Sequence, residues 1–230
     1  MSSKLNIFKK GSLDITPLLI PVIPFGIIIG VVGMELGFGP YVTYGTSLIM
    51  FAGSAQIVLI QLMSAGASTI VSLTSVTVVN SRHLLYGAVL SEYLDKLNFM
   101  WKVFLSYFTS DQSFAVSYKY FKQNKSNINS HYHLLGSGFT LWLTWQISTI
   151  TGILLGSIIP EELGLSFAIP LTFISLLVQE FRKLDHVIVM LVSGIIAIFA
   201  YNIPFKAYII VASVSALVVA AIITKFRSIK

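Results

Sequence analysis

The sequence contains no cysteine, and only 10% of its 230 residues are charged. The first absence excludes a disulfide scaffold and any thiolate metal site. The second excludes an ordinary water-soluble domain, in which about a quarter of the residues carry charge. With 55% hydrophobic residues and a mean hydropathy of +0.84, too few polar side chains remain to cover a surface facing water. The chain therefore reads as an integral membrane protein. Enzyme signatures are also missing: there is no His-Glu-x-x-His, no Gly-x-Ser-x-Gly and no phosphate-binding loop. The expectation is a protein that is not an enzyme and has no cofactor and no resident metal. Any active transport by it would draw on an ion gradient or on exchange. The net charge of +6 does not point to nucleic acid, because the basic residues lie in short loops and tails.

What is present is a series of apolar runs, near residues 15–35, 43–63, 67–90, 101–118, 134–159, 165–178, 187–200 and 205–224. A straight helical span needs about 20 residues. The sixth and seventh runs are shorter, so the sequence predicts an all-α, polytopic membrane protein of about eight segments, with six or seven full spans as alternatives. The first run follows Lys4, Lys9 and Lys10 but is too long for a signal core, and no small-x-small cleavage site follows it. It reads as the first membrane helix. With eight spans and the N-terminus inside, Lys4, Lys9, Lys10, Lys119, Lys122, Lys125, Arg182, Lys183, Lys225, Arg227 and Lys230 face the cytoplasm. Lys96, Lys102 and Lys206 face outward with Glu161 and Glu162, so both termini are predicted cytoplasmic.

The chain reads as a single membrane domain, 1–230, with a candidate internal repeat. Gly26-Ile27-Ile28-Ile29-Gly30 precedes Glu35-Leu36-Gly37, and Gly152-Ile153-Leu154-Leu155-Gly156 precedes Glu162-Leu163-Gly164. The halves would be 1–118 and 134–230, joined by the polar loop 119–133. Duplication of this kind is common in transporters, although glycine is frequent in any membrane helix. The halves would run parallel if the eight-span count holds, and inverted if one element is re-entrant. The two GxxxG pairs also offer close-packing faces to other helices.

Three places carry polar groups that lipid does not tolerate without a reason. Pro17, Pro21 and Pro24 in the first run each remove a backbone donor, which predicts a kinked or unwound helix, either merely bent or lining a substrate site. In the second run, Phe51-Ala52-Gly53-Ser54-Ala55-Gln56 combines small residues, which would let a ligand approach the backbone, with an amide able to engage a zwitterion. The bland alternative for Gln56 is an interhelical hydrogen bond. In the third run, Asn80-Ser81-Arg82-His83-Leu84-Leu85-Tyr86-Gly87 places Thr77, Asn80, His83 and Gly87 on one helical face. Arg82 lies some 22 Å along that helix (about 15 residues at 1.5 Å each), where it could snorkel to head groups. Asp111, about ten residues into the returning fourth run, argues instead for a buried Arg82–Asp111 pair. His83 is the candidate proton carrier, since histidine changes charge near neutral pH.

These motifs, with Thr109-Ser110-Asp111-Gln112-Ser113-Phe114-Ala115, resemble the AzlC family, the large subunit of bacterial branched-chain amino acid exporters. The Asn-x-Arg-His-x-x-Tyr-Gly core is matched in full. The family usually has an Asp-Glu pair in the third motif, where Gln112 stands here. The resemblance implies export of leucine, isoleucine, valine and methionine across a bacterial plasma membrane, driven by the proton-motive force. It also implies a small AzlD-type membrane subunit as partner, beside the lipid bilayer itself. The candidate substrate-binding residues are Gly53, Ser54, Gln56, Asn80 and Tyr86, near the Pro17–Gly33 helix; the ion-pair or proton-pathway set is Arg82, His83 and Asp111. The alternatives are a passive channel for a small solute, or a membrane scaffold without its own transport site.

Overall fold

The computed structural model describes residues 3–124, 128–156, 184–203 and 208–228. The run 165–178, the Glu162-Leu163-Gly164 turn and the charges at 125, 161, 162, 182, 183, 206 and 230 lie outside them. Among the described residues all regular structure is helical: α1 (Lys4–Glu35), α2 (Gly39–Ile49), α3 (Gly53–Ser64), α4 (Thr69–Asn80), α5 (Arg82–Leu94), α6 (Phe99–Tyr107), α7 (Asp111–Gln123), α8 (His131–Gly156), α9 (Leu184–Phe199) and α10 (Tyr208–Ser228). Two of these, α1 and α8, are identified as both long and apolar enough to cross a membrane.

Three predicted runs are each broken into two helices. The second breaks at Met50–Ala52, the third at Ser81 and the fourth at Phe108–Ser110. Met50 leaves helical geometry at φ −113°, ψ 91°. Ser110 is fully extended at φ −129°, ψ 176°, and starts α7 with a reciprocal cap between Ser110 and Ser113. The break at Ser81 is slight: φ −55°, ψ −27° remain helical, and Leu84 N closes a shorter bond to Ser81 O. All three sequence motifs fall on these breaks.

The first run does the opposite of what its prolines suggest. α1 is continuous over 32 residues, straight through Pro17, Pro21 and Pro24. All three prolines are exposed, whereas Gly26, Gly30 and Gly33 on the same helix are buried. The lost hydrogen bonds therefore lie on the face away from the packed one, where a close neighbour holds the helix together.

That neighbour is α8. A Cβ placed on Gly26 would fall 2.7 Å from Ser148 Cβ, one on Gly30 2.6 Å from Ile153 N, and one on Gly152 2.8 Å from Ile27 C. The contacts advance together along both chains, Gly11 with His133, Gly26 with Ser148 and Gly30 with Gly152, so the two helices run parallel. The GxxxG pairs are thus filled by each other and are not free for a partner's helices. Aligning the two motifs would set Gly26 opposite Gly152; the structure sets Gly30 there, a shift of one helical turn.

The described chain forms two compact units. One contains α1, α2, the first turn of α3, and the chain from Asn80 through α8. Its core joins Ile7 of α1, Leu90 and Leu94 of α5, Leu105 of α6, Tyr120 and Phe121 of α7, and Leu134 of α8. The other contains the rest of α3, α4 up to Val79, α9 and α10. Within it Ser193 Oγ donates to Ala212 O at 3.4 Å, and Tyr201 meets Tyr208 at 5.4 Å. α1 and α8, one from each candidate repeat half, share a unit. The polar loop is also shorter than 119–133, because α7 continues to Gln123 and α8 begins at His131.

Candidate functional site

The N-termini of α3, α5 and α7 meet at one point in the first unit. Arg82, the first residue of α5, places Nη1 2.8 Å from Asp111 Oδ2 and donates from Nη2 to Ser54 Oγ at 2.9 Å. Tyr86, one turn along α5, donates its hydroxyl to Asp111 Oδ1 at 2.8 Å and stacks on Phe114. The Arg82 and Asp111 side chains are 38% and 39% exposed. The pair therefore exists but is not enclosed, and its expected burial is corrected: each charge sits at a helix start, beside the break that opens it. Arg82 Nε is itself buried without a hydrogen-bond partner. α5 has no side-chain cap at its N-terminus, and Leu84 N of its first turn is taken by Ser81 O.

The carboxyl ends of α2 and α6 lie together as well. Tyr107, the last residue of α6, donates to Leu48 O of α2 and accepts from Trp142 Nε1 of α8 at 2.9 Å. Broken helices here bring ends of both polarities into one region of the first unit, with the positive ends around Arg82. Beside them is a cavity of about 190 Å³, lined by His83, Leu90 and Leu94 of α5, Lys102 and Ser106 of α6, and Thr109.

Other expected site residues are placed differently. Gly53 leaves no room for a ligand, because a Cβ there would meet the rings of Phe25 and Trp145, the latter at 2.7 Å. Gln56 is wholly buried and donates to Thr46 Oγ1 at 3.0 Å, which is the interhelical bond its bland reading predicts. Asn80 Oδ1 is buried and unpartnered, two residues before Arg82. His83 Nδ1 lies 3.2 Å from Asn80 O, and its ring meets Tyr86 edge-on at 5.5 Å. The expected residues that the structure brings together, Ser54, Arg82, Tyr86 and Asp111, stand at the starts of α3, α5 and α7. The Ser54 and Tyr86 contacts were not legible as an ordered set in the sequence, since neither residue is charged.

Ser110 holds the start of α7, and with it Asp111. Ser110→Ala removes one half of the reciprocal cap and is expected to cost about 1 kcal/mol. Thermal unfolding in detergent reads this directly; an unchanged midpoint would mean that the cap does not hold α7.

The model of the AzlC protein family matches residues 17–159, which span the three breaks and the ion pair. The chain belongs to the AzlC family. It is 27% identical over 205 residues to the inner membrane protein YgaZ of Escherichia coli, covering 86% of this chain and 83% of that protein. An uncharacterized membrane protein of Archaeoglobus fulgidus is 27% identical over 200 residues, with 85% of each chain covered. One from Helicobacter pylori is 24% identical over 186 residues, covering 80% of this chain and 79% of its own. No solved structure matches the chain. As a member of AzlC, with relatives named as membrane proteins and apolar helices of its own, the chain is an all-helical, polytopic membrane protein.

Proposed function

We propose that this AzlC protein is a secondary exporter of branched-chain amino acids, leucine, isoleucine and valine with methionine, and not an enzyme. The observation that carries the reading is the Arg82–Asp111 pair at the meeting of three helix N-termini. A pair closed on itself at half-exposed helix ends suits a zwitterion. The cargo carboxylate takes Arg82, whose Nε has no partner, while its ammonium takes Asp111 and Tyr86 releases its bond. Opposite charges are exchanged for opposite charges, so no ion is stranded. A single ion would leave one partner bare. The near end of the cavity, at His83 and Gly87, receives the branched side chain.

The proton-motive force drives the cycle, and a small AzlD-type membrane subunit completes it. The setting is the bacterial plasma membrane with both termini cytoplasmic, supported by the distribution of lysine and arginine and by the printed name of the E. coli relative. The test is counterflow of labelled leucine in proteoliposomes, with the chain alone and with the small subunit. The expected result is uptake of label that needs both chains and rises with a proton gradient. No exchange with both chains present would sink the exporter reading; full exchange by this chain alone would sink the need for a partner.

A further inference from the structure

His133 stands at the start of α8 with its side chain wholly enclosed. Its ring stacks on Tyr120 of α7, with centroids 4.1 Å apart. Nε2 lies 3.0 Å from Asp14 Oδ2 on α1, and Nδ1 lies 3.0 Å from Ser117 Oγ on α7. Ser117 Oγ is in turn 3.0 Å from Ser137 Oγ, which donates to Leu134 O at 3.1 Å. Lys10 Nζ holds the same Asp14 oxygen at 3.0 Å. The charged and titratable groups around the ring are thus Lys10 and Asp14 from α1 and Tyr120 from α7, while α8 contributes Ser137.

Counting hydrogens shows what this arrangement can do. A carboxylate only accepts, so a neutral His133 ring carries its hydrogen on Nε2 and donates it to Asp14. Nδ1 then accepts from the Ser117 hydroxyl. When a proton arrives at the Nδ1 lone pair, the new N–H donates to Ser117 Oγ. The Ser117 hydroxyl turns and donates to Ser137 Oγ, and Ser137 keeps its bond to Leu134 O. One proton has entered, one hydroxyl has rotated, and every hydrogen still has an acceptor. Release runs the same steps backwards. A purely structural histidine needs only one of these two states to be satisfied.

We propose that His133 is a proton-binding site of this protein, with Asp14 fixing its tautomer and Ser117 the hydroxyl that turns with each proton. The role moves from His83, whose Nδ1 meets a backbone carbonyl, to a histidine with an acid on one side and a hydroxyl that can turn on the other. The site lies where Gly11 abuts the His133 carbonyl and Gly136 abuts the Phe8 carbonyl, so proton occupancy acts where α1 and α8 pack backbone to backbone. As the source of transport coupling it rests on the exporter reading; as a proton site it does not, and the test reads the proton alone.

The full chain, labelled with ¹⁵N-histidine and placed in lipid nanodiscs, is titrated by NMR. The chain has four histidines, and the His133 signals are those lost in His133→Gln, or, if that variant does not fold, those displaced by Asp14→Asn. The expected result is passage of His133 between neutral ring and imidazolium within the range in which the protein stays folded. Ser117→Ala removes the acceptor of the added N–H, a charge-assisted bond, and should lower the midpoint by about one pH unit or more. Ser137→Ala should shift it the same way by less. A single charge state for His133 throughout, or a midpoint indifferent to Ser117→Ala, would overturn the proposal.

Discussion

Replacing either Arg82 or Asp111 by alanine is expected to lower leucine counterflow by about 10- to 100-fold, the loss of one or two hydrogen bonds to a charged group. The effect on folding should be smaller. Stranding a fully buried charge costs roughly 3–5 kcal/mol, and an exposed pair contributes roughly 0–1 kcal/mol. With side chains 38% and 39% exposed, the stability loss should fall between those limits. The double replacement leaves no stranded ion, so it should recover most of the folded yield and none of the flux. That separation is the informative part. If the double variant transported leucine, the pair would be a packing device and the cargo would bind elsewhere. If Arg82→Ala transported like the parent, the guanidinium would have no part in binding. Flux in proteoliposomes and yield by fluorescence-detected gel filtration provide the two readouts.

The second large effect lies in the seam between α1 and α8. Gly152→Ala sets a Cβ against Ile27, with the carbonyl carbon 2.8 Å away and its oxygen nearer still; Gly30→Leu does the same against Thr149 and Ile153. The obstacles are backbone atoms, which have no rotamer to change. The cost should reach the upper end of ordinary overpacking, about 3 kcal/mol or more, and Gly30→Leu should yield no folded protein. Gly45→Ala on α2 is the control, because nothing lies within 4 Å of its Cβ position. A methyl group there should be neutral or stabilise by up to about 1 kcal/mol. Equal unfolding temperatures for Gly152→Ala and Gly45→Ala in detergent would show that the seam tolerates separation.

The polar motifs were legible because lipid makes an unexplained charge conspicuous. Arg82 and Asp111 stood out in apolar runs, and their opposite signs at matching depth suggested a contact before any geometry was available. The helix breaks were not legible for the complementary reason. Met50-Phe51-Ala52 is as apolar as the helices on either side of it, so hydropathy runs through the break without a change. The prolines of α1 misled in the other direction. Sequence reveals which hydrogen bond a proline removes, but not that all three rings are exposed while the glycines behind them are buried against a neighbouring helix. The GxxxG pairs likewise announce a close helix contact without naming the helix. Gln56 and Gly53 looked like ligand groups because a buried amide and a small residue serve packing as readily as binding. Asp14 and His133 are 119 residues apart. Neither belongs to a motif, and only the parallel docking of α1 on α8 brings them together.

That docking also limits how the molecule can move. In most helix pairs the side chains between the two backbones form a compliant layer, which takes up small shifts by changing rotamers. Along α1 and α8 the glycines remove that layer, and backbone touches backbone at several levels. Sliding by less than a full turn would drive carbonyls into Cα atoms, so the pair behaves as one strut. Any motion within the first unit that opens Arg82 and Asp111 first to one side of the membrane and then to the other must therefore occur elsewhere. The chain leaves regular helix at Met50–Ala52, Ser81 and Phe108–Ser110, at the foot of the half-helices that carry the charged groups. Rigidity is concentrated along the glycine-lined seam, and the places where the helices are interrupted lie in the three motifs.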